Sequence, residues 1–238
     1  MRFNDPQYAE FYNRRQIDSG YPGRLLDIVM ENLSGSSTVL DIGSGTGFFA
    51  IPLAEKGIRV TALEPSRDMT GRMEERCPEE ARGFITIANL NWEEWSGTVH
   101  DSAICIHSLY PMSDPAAALD KMLQYSGKRI VIIRDSAGMK TLSGIVREKL
   151  KLNHNRDLNT TVKDLLTNRG LPYSTVNIKE TREYLIKDPA IETESLLYQL
   201  RLGKDYFHSV LSIVKEESEE HEAGIIFHPV FSDNVWIF

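Results

Sequence analysis

The feature that most constrains the fold is a glycine-rich turn between an apolar run and a helical segment. Residues 39 to 66 read VLDIGSGTGFFAIPLAEKGIRVTALEPS, with Gly43, Gly45 and Gly47 in the turn. Glycine is needed where a backbone turns sharply or must touch a ligand without an intervening Cβ. A helix that begins at such a turn presents free N–H groups and a positive dipole end to that ligand. The segment therefore predicts a strand–turn–helix unit that holds a nucleoside-type cofactor.

Two acidic residues narrow the choice of cofactor. Glu64 ends the next apolar run, 19 residues after Gly45, where a carboxylate accepts hydrogen bonds from both ribose hydroxyls. Asp41 precedes the turn, where its charge would repel a pyrophosphate and attract an ammonium or sulfonium group. A nicotinamide dinucleotide remains an alternative, because GTGFFA from Gly45 fits G-x-G-x-x-G/A, although Phe48 breaks the same fit from Gly43.

Apolar runs alternate with helical patterns through the first part of the chain. We expect strands at 38–42, 58–63, 84–88, 102–106 and 129–133. Helices are expected between them, including one that Asp114 caps and Pro115 opens. This order predicts a doubly wound α/β fold with a mostly parallel sheet.

The remaining residues are expected to complete a single domain over 1–238. Residues 1–37 form an N-terminal helical cap, and 38–133 form the cofactor-binding core. Residues 134–222 form a helical lid insertion with one late strand at 174–187, and the charged run 215–222 is a solvated helix end or loop. Residues 223–238 form C-terminal antiparallel β segments around a turn at Ser232 and Asp233.

Composition and local patterns argue against three classes of protein: nucleic-acid-binding, membrane-spanning and secreted proteins. The net charge of −7 gives no strong nucleic-acid signal. The apolar runs are too short for a membrane span. No secretory signal follows the first charges, and two cysteines make no disulfide framework. These features predict a cytoplasmic protein without a membrane partner, and they leave a homodimer open.

The glycine turn resembles the first motif of the class I S-adenosylmethionine-dependent methyltransferases, which have a Rossmann-like sheet. Their D-x-G-x-G-x-G pattern matches Asp41, Gly43, Gly45 and Gly47, and their ribose-binding acid matches Glu64. The resemblance covers residues 39–133. Their third motif has an Asp that contacts the adenine amine, and here this position is Asn89, a departure from the pattern.

The resemblance implies S-adenosyl-L-methionine as the cofactor. The residues it assigns to cofactor binding are Asp41, Gly43, Ser44, Gly45, Gly47, Glu64, Asn89, Leu90 and Ile106. Nothing in the spacing of the histidines indicates a metal site.

Residues at strand ends and in the flanking helices are candidates for the chemistry, because ligands bind at the carboxyl ends of parallel strands. His107 and Tyr110 follow the fourth strand and are the catalytic candidates, with pocket lining as the alternative for His107. The candidates for substrate binding are Tyr12, Arg134, Tyr198 and Tyr206, with ordinary packing or ion pairing as the alternative.

The sequence thus predicts methyl transfer to a small-molecule acceptor. Methylation of a protein or RNA is the first alternative, and a basic groove would favour it. A non-catalytic S-adenosylmethionine-binding module and a nicotinamide-dependent oxidoreductase are the others.

Overall fold

A mixed seven-stranded sheet forms the centre of the protein. The structure, a computed structural model, describes residues 5–152 and 157–238. In the described residues the sheet has the order β3-β2-β1-β4-β5-β10-β6. Its strands are β1 (Thr38–Ile42), β2 (Arg59–Leu63), β3 (Ile85–Ala88), β4 (His100–Ile106), β5 (Ser126–Arg134), β6 (Ser174–Thr181) and β10 (Val230–Ile237). A smaller sheet has the order β7-β9-β8, from β7 (Tyr184–Ile186), β8 (Glu219–His221) and β9 (Gly224–Phe227).

Helices connect and cover these strands. They are α1 (Pro6–Asp18), α2 (Arg24–Asn32), α3 (Ala50–Glu55), α4 (Arg67–Arg76), α5 (Glu79–Arg82), α6 (Pro115–Tyr125), α7 (Leu142–Lys149), α8 (Asn159–Asn168), α9 (Pro189–Leu200) and α10 (Phe207–Glu216). Asp114 caps α6 as predicted, because its side chain accepts from the Ala117 N–H. No helix among the described residues combines the length and apolarity needed to cross a membrane.

The order of the strands reverses beside β1. Strand β1 pairs in parallel with β2 on one side and with β4 on the other. In an open α/β sheet, the crevice beyond the carboxyl ends of two such strands is where ligands bind. Asp41 near the end of β1 and His107 just after β4 therefore lie at the opening of this crevice.

Apolar side chains cover both faces of the main sheet. Val39 and Ile104 pack on one face with residues of α2 and α3, whereas Leu40 and Cys105 pack on the other with residues of α6 and α8. Burial on both faces is typical of parallel strands. Helices α7, α9 and α10 instead pack against the small sheet in a third apolar cluster. The predicted doubly wound Rossmann-like fold, with helical additions and a C-terminal antiparallel strand, is confirmed.

Three local predictions were wrong. The expected strand at 174–187 is two strands, β6 and β7, which belong to different sheets. The charged run 215–222 includes strand β8, which pairs with β9. No turn interrupts β10: Ser232 pairs with Lys179, and Asp233 pairs with Arg134 and Ile178. These polar residues favour a turn by composition, but ladder pairing on both sides keeps them in a strand.

Candidate functional site

The glycine turn follows β1 and has a strained backbone path that only glycine follows easily. Gly43, Gly45 and Gly47 have φ values of 74°, 56° and 80°. A Cβ on Gly43 would lie 2.3 Å from Cβ of Ser108. A Cβ on Gly47 would lie 2.5 Å from Cγ of Met73. The two outer glycines therefore let the turn pack against its neighbours. A Cβ on Gly45 would have no neighbour nearer than 3.7 Å, so the middle of the turn is open.

The Glu64 carboxylate is bonded to the glycine turn. Its Oε2 accepts from the Gly45 N–H at 3.1 Å, and its Oε1 accepts from the Ser66 N–H at 3.0 Å. Burial raises the pKa of Glu64, and the two hydrogen bonds oppose that rise. Each carboxylate oxygen has a second lone pair. Glu64 is therefore held in place while it can still accept from a diol.

Three buried oxygens around the turn lack hydrogen-bond partners in the described part of the chain. They are Oδ2 of Asp41, Oγ of Ser44 and Oγ1 of Thr46. Asp41 is only 3% exposed, and burial, with the nearby charge of Glu64, raises its pKa to about 8. Buried polar groups without partners are rare and costly. Their grouping at one turn fits a polar, cationic ligand that would satisfy them.

Asn89 and Leu90 follow β3 and lie at the surface beside Glu64. The Asn89 Nδ2 donates to the Glu64 carbonyl and to Oγ1 of Thr70, each at 3.0 Å. Because a carbonyl can only accept, these bonds fix which way the amide faces, and Oδ1 is left as an acceptor for an amine. Leu90 is 45% exposed and offers an apolar surface. Ile106, in contrast, is buried at the end of β4.

His107 adopts an unusual backbone conformation directly after β4. Its φ is 55°, which is rare for a residue with a side chain, and its N–H donates to the Ile132 carbonyl at 3.0 Å. Its imidazole is 16% exposed and lies 3.6 Å from Asp233 between Nε2 and Oδ1. Burial lowers the pKa of His107 well below its ordinary value, with help from the charges of Arg134 and Arg182. The ring is therefore neutral at pH 7.

Tyr110 holds the backbone at the end of β5. Its hydroxyl oxygen accepts from the Arg134 N–H at 2.7 Å, and burial raises its pKa to about 12. The Arg134 side chain points to Asp233, with Nη1 at 3.3 Å from Oδ2. Arg134 and His107 thus contact the same carboxylate. Tyr110 contacts the backbone of Arg134 and so helps to position it.

The candidate tyrosines of the flanking helices have different surroundings. Tyr12 of α1 is near the site, since burial raises its pKa and the charges of Arg134 and Glu64 act on it. Tyr198 of α9 stacks on Tyr8 at 5.4 Å and donates to Asp5, so it joins α9 to α1. Tyr206 is partly exposed in a short 3-10 helix (Lys204–Tyr206) before α10.

Two site residues, Asp233 and Arg182, were absent from the sequence predictions. Asp233 was missed because it was assigned to a turn. Tyr21, in the connection after α1, has its ring 6.3 Å from that of His107. Arg182 binds the carbonyls of Ser19 and Pro22 at 3.4 and 3.0 Å, and so fixes the N-terminal cap to the end of β6. Asp233 lies between Ser232 and Asn234, and this polar run gave no local signal for a strand.

Several solved structures of similar fold are named as methyltransferases. A protein of Anabaena variabilis, assigned as a methyltransferase of an antibiotic biosynthesis pathway, is 15% identical with a TM-score of 0.61, over 90% of this chain and 96% of that one. A methyltransferase of Thermotoga maritima, a candidate histamine N-methyltransferase, is 19% identical with a TM-score of 0.56, over 100% and 98%. The Synechocystis magnesium protoporphyrin IX methyltransferase, solved with bound SAH, is 16% identical with a TM-score of 0.50, over 89% and 81%.

The sequence is similar to one curated protein and to one protein-family model. An uncharacterized protein of Haemophilus influenzae is 26% identical over 115 residues, which are 48% of this chain and 42% of that protein. The matched segment thus spans less than half of this relative. The model of a methyltransferase domain family matches residues 12–162, which include the glycine turn, Glu64, Asn89 and His107. Because this match covers more than half of the chain, the protein belongs to the methyltransferase domain family.

Proposed function

We propose that this protein transfers a methyl group from S-adenosyl-L-methionine to a small-molecule acceptor. The observation that carries the proposal is the set of unpartnered oxygens of Asp41, Ser44 and Thr46 beside the open face of Gly45. A cationic, polyhydroxylated ligand would satisfy these oxygens. The family and the fold agree with this cofactor.

Residues of this chain suit each part of that cofactor. The carboxylate of Asp41 would hold the ammonium end, and Glu64 would accept from the ribose hydroxyls. Oδ1 of Asn89 would accept from the adenine amine, with Leu90 offering an apolar surface to the base. The amide oxygen replaces the carboxylate of the resembled motif, and it keeps the acceptor that the amine needs. When bound, the cofactor supplies an electrophilic methyl carbon attached to a cationic sulfur.

The N-terminal cap supports a small acceptor. Helix α1 lies against α4 through hydrogen bonds from Arg72 to Glu10 and from Arg76 to Asn13, at 3.4 and 3.3 Å. The cap brings Tyr12 and Tyr21 towards His107 and Arg134. A cap in this position would exclude water from the reacting atoms and would restrict the access of large acceptors to them. Aromatic side chains beside His107 favour a small molecule over an RNA or a protein segment as the acceptor.

Calorimetric titration tests the cofactor. We expect micromolar binding of S-adenosylmethionine and S-adenosylhomocysteine, no binding of NAD, and loss of binding in Asp41→Ala. Binding of NAD alone would contradict the proposal and favour an oxidoreductase.

An acceptor screen tests the reaction. The purified protein is incubated with S-adenosylmethionine and panels of small amines, phenols, carboxylates, peptides and RNA, and S-adenosylhomocysteine formation is measured. Turnover with a small molecule is expected. Turnover only with RNA or peptide would assign a macromolecular acceptor. Cofactor binding without turnover on any panel would favour a non-catalytic module.

A further inference from the structure

Asp233 and His107 lie close together at the ends of β5 and β4. Each has polar side-chain atoms that form no hydrogen bond with the described residues. Oδ1 of Asp233 and both ring nitrogens of His107 lack hydrogen-bond partners within the described ranges. Asp233 is only 2% exposed. The nearest approach of the pair is 3.6 Å, between Oδ1 and Nε2. Two buried groups whose adjacent polar atoms have no other partner are candidates for a functional pair.

Two features of the backbone bring Asp233 and His107 together. Strand β10 pairs Asp233 with Arg134, so the carboxylate reaches the end of β5, next to the end of β4. The left-handed backbone of His107, with φ of 55°, turns the residue immediately after β4. Such a conformation is retained where the surroundings require it, and it is frequent at functional sites.

The groups around the pair define its charge. Arg134 of β5 contacts the other oxygen of Asp233, and Arg182 after β6 acts on both members of the pair. Glu180 of β6 and Asp135 after β5 raise the pKa of Asp233, although burial is the larger cause. The ring of Tyr21 in the N-terminal cap lies 6.3 Å from that of His107. The two arginines favour the charged form of Asp233, and the neutral ring of His107 is then its natural donor.

We propose that Asp233 is a positioning residue that holds His107 in the tautomer with hydrogen on Nε2, which leaves Nδ1 free as a general base. This inference rests on the proposed function and extends it to the acceptor, whose nucleophile must carry a proton at neutral pH, as a phenol or ammonium group does. A carboxylate that selects the tautomer of a histidine is an established arrangement in general base catalysis.

The proton transfer balances with the established reaction class. The acceptor's X–H bond breaks as its electron pair forms the bond to the methyl carbon, while the pair of the former methyl–sulfur bond remains on sulfur. The proton passes to Nδ1 of His107. The imidazolium is stabilised by the Asp233 carboxylate and later releases the proton to water.

Nitrogen NMR of the protein tests the pair without any cofactor or acceptor. The protein is labelled with ¹⁵N-histidine, and the His107 signals are assigned by their loss in His107→Gln. We expect the Nε2–H tautomer at pH 7. In Asp233→Asn the tautomers should mix, and the protonation midpoint of His107 should fall by at least half a pH unit. Asp120→Asn is the matched control, because Asp120 pairs with Arg169 and with no group around the pair, and the His107 signals should not change in it.

A kinetic test separates a base from a structural contact once the screen has given an acceptor. Asp233→Asn should lower kcat at least tenfold at pH 7, and the deficit should shrink towards pH 10 as the acceptor loses its own proton to solvent. The dissociation constant of S-adenosylhomocysteine should stay within twofold of the wild type.

The outcomes distinguish the two proposals. Hydrogen on Nδ1 in the wild type, or His107 signals unchanged in Asp233→Asn, would overturn the pairing even if the protein binds the cofactor. A kcat deficit independent of pH would likewise assign Asp233 a structural role. Failure to bind S-adenosylhomocysteine would overturn the proposed function and leave the NMR result standing on its own. If Asp233→Asn does not fold, the wild-type tautomer decides the inference.

Discussion

The N–H of Gly45 donates to the carboxylate of Glu64 at 3.1 Å, which joins the turn after β1 to the end of β2. The parallel register pairs Ile42 with Leu63, so both strands end at the same level. The acid is therefore part of the turn's own structure as well as a candidate ligand-binding group.

Glu64→Gln tests how much the Glu64 carboxylate contributes to cofactor binding. A glutamine amide must place its NH₂ against either the Gly45 or the Ser66 N–H, and both of these are donors. We expect a loss of about 1.5–3 kcal/mol in cofactor binding, or roughly 10–100-fold in affinity, measured by calorimetry. Glu55→Gln, at the exposed end of α3, is the control. Equal affinity in both variants would show that Glu64 does not bind the ribose.

Gly43→Ala and Gly57→Ala form a matched pair. Both glycines have positive φ, but a Cβ on Gly57 meets nothing within 4 Å, whereas one on Gly43 meets Ser108. Gly57→Ala should cost only the left-handed strain, about 1 kcal/mol of unfolding free energy. Gly43→Ala should cost more and also abolish cofactor binding, because the turn must move. Denaturant unfolding and calorimetry check both. Equal unfolding free energies would mean that Ser108 gives way.

Asp41→Asn should raise stability at alkaline pH. Native Asp41 keeps its proton up to a pKa of about 8, whereas its ordinary value is 3.8. The unfolded chain therefore binds fewer protons than the native one over this range, and the residue's contribution to stability falls as pH rises from about 4 to 8. The variant should be more stable by about 2 kcal/mol at pH 8, with a smaller gain at pH 5.

The same substitution should remove cofactor binding, because an amide, unlike the Asp41 carboxyl, cannot lose a proton to pair with the ammonium group. Thermal unfolding at the two pH values, combined with titration of S-adenosylhomocysteine, measures this trade between stability and function. A variant less stable than the wild type at pH 8 would contradict the raised pKa.

Arg182→Lys should loosen the N-terminal cap. A lysine cannot bond the Ser19 and Pro22 carbonyls and Glu180 at once, as the guanidinium does. We expect amide exchange in residues 6–23 to accelerate about tenfold, which is about 1.4 kcal/mol. Arg169→Lys is the control, since its ion pair with Asp120 lies on other helices. Unchanged exchange would mean that α1 is held by its contacts with α4 and α9 alone.

Local signals in the sequence were enough for the core of the fold. The glycine turn, the Asp-Pro pair at the start of α6 and the alternation of apolar runs each depend on neighbours within a few residues. They predicted the parallel strands β1 to β5 and the location of the cofactor turn. Asp41, Glu64 and the glycines followed from the same segment.

The surroundings of Asp233 and His107 depend on contacts between residues that are distant in sequence. Ser232 donates to Asp135 across 97 residues, and Asn177 donates to Ser232 across 55. Such partners turn a polar stretch with turn-like composition into the middle of a strand. No local pattern indicates them, so the Asp233–His107 contact and the break between β6 and β7 could not be predicted.

The position of β10 also bears on how the protein is made. This strand is synthesised after all the others described, yet it lies between β5 and β6. While the ribosome is still translating the preceding segment, β5 has an open edge, and β6 has emerged without β10, its partner in the described sheet. An exposed strand edge invites pairing with other chains. We therefore expect the nascent protein to be open to such pairing until β10 leaves the exit tunnel.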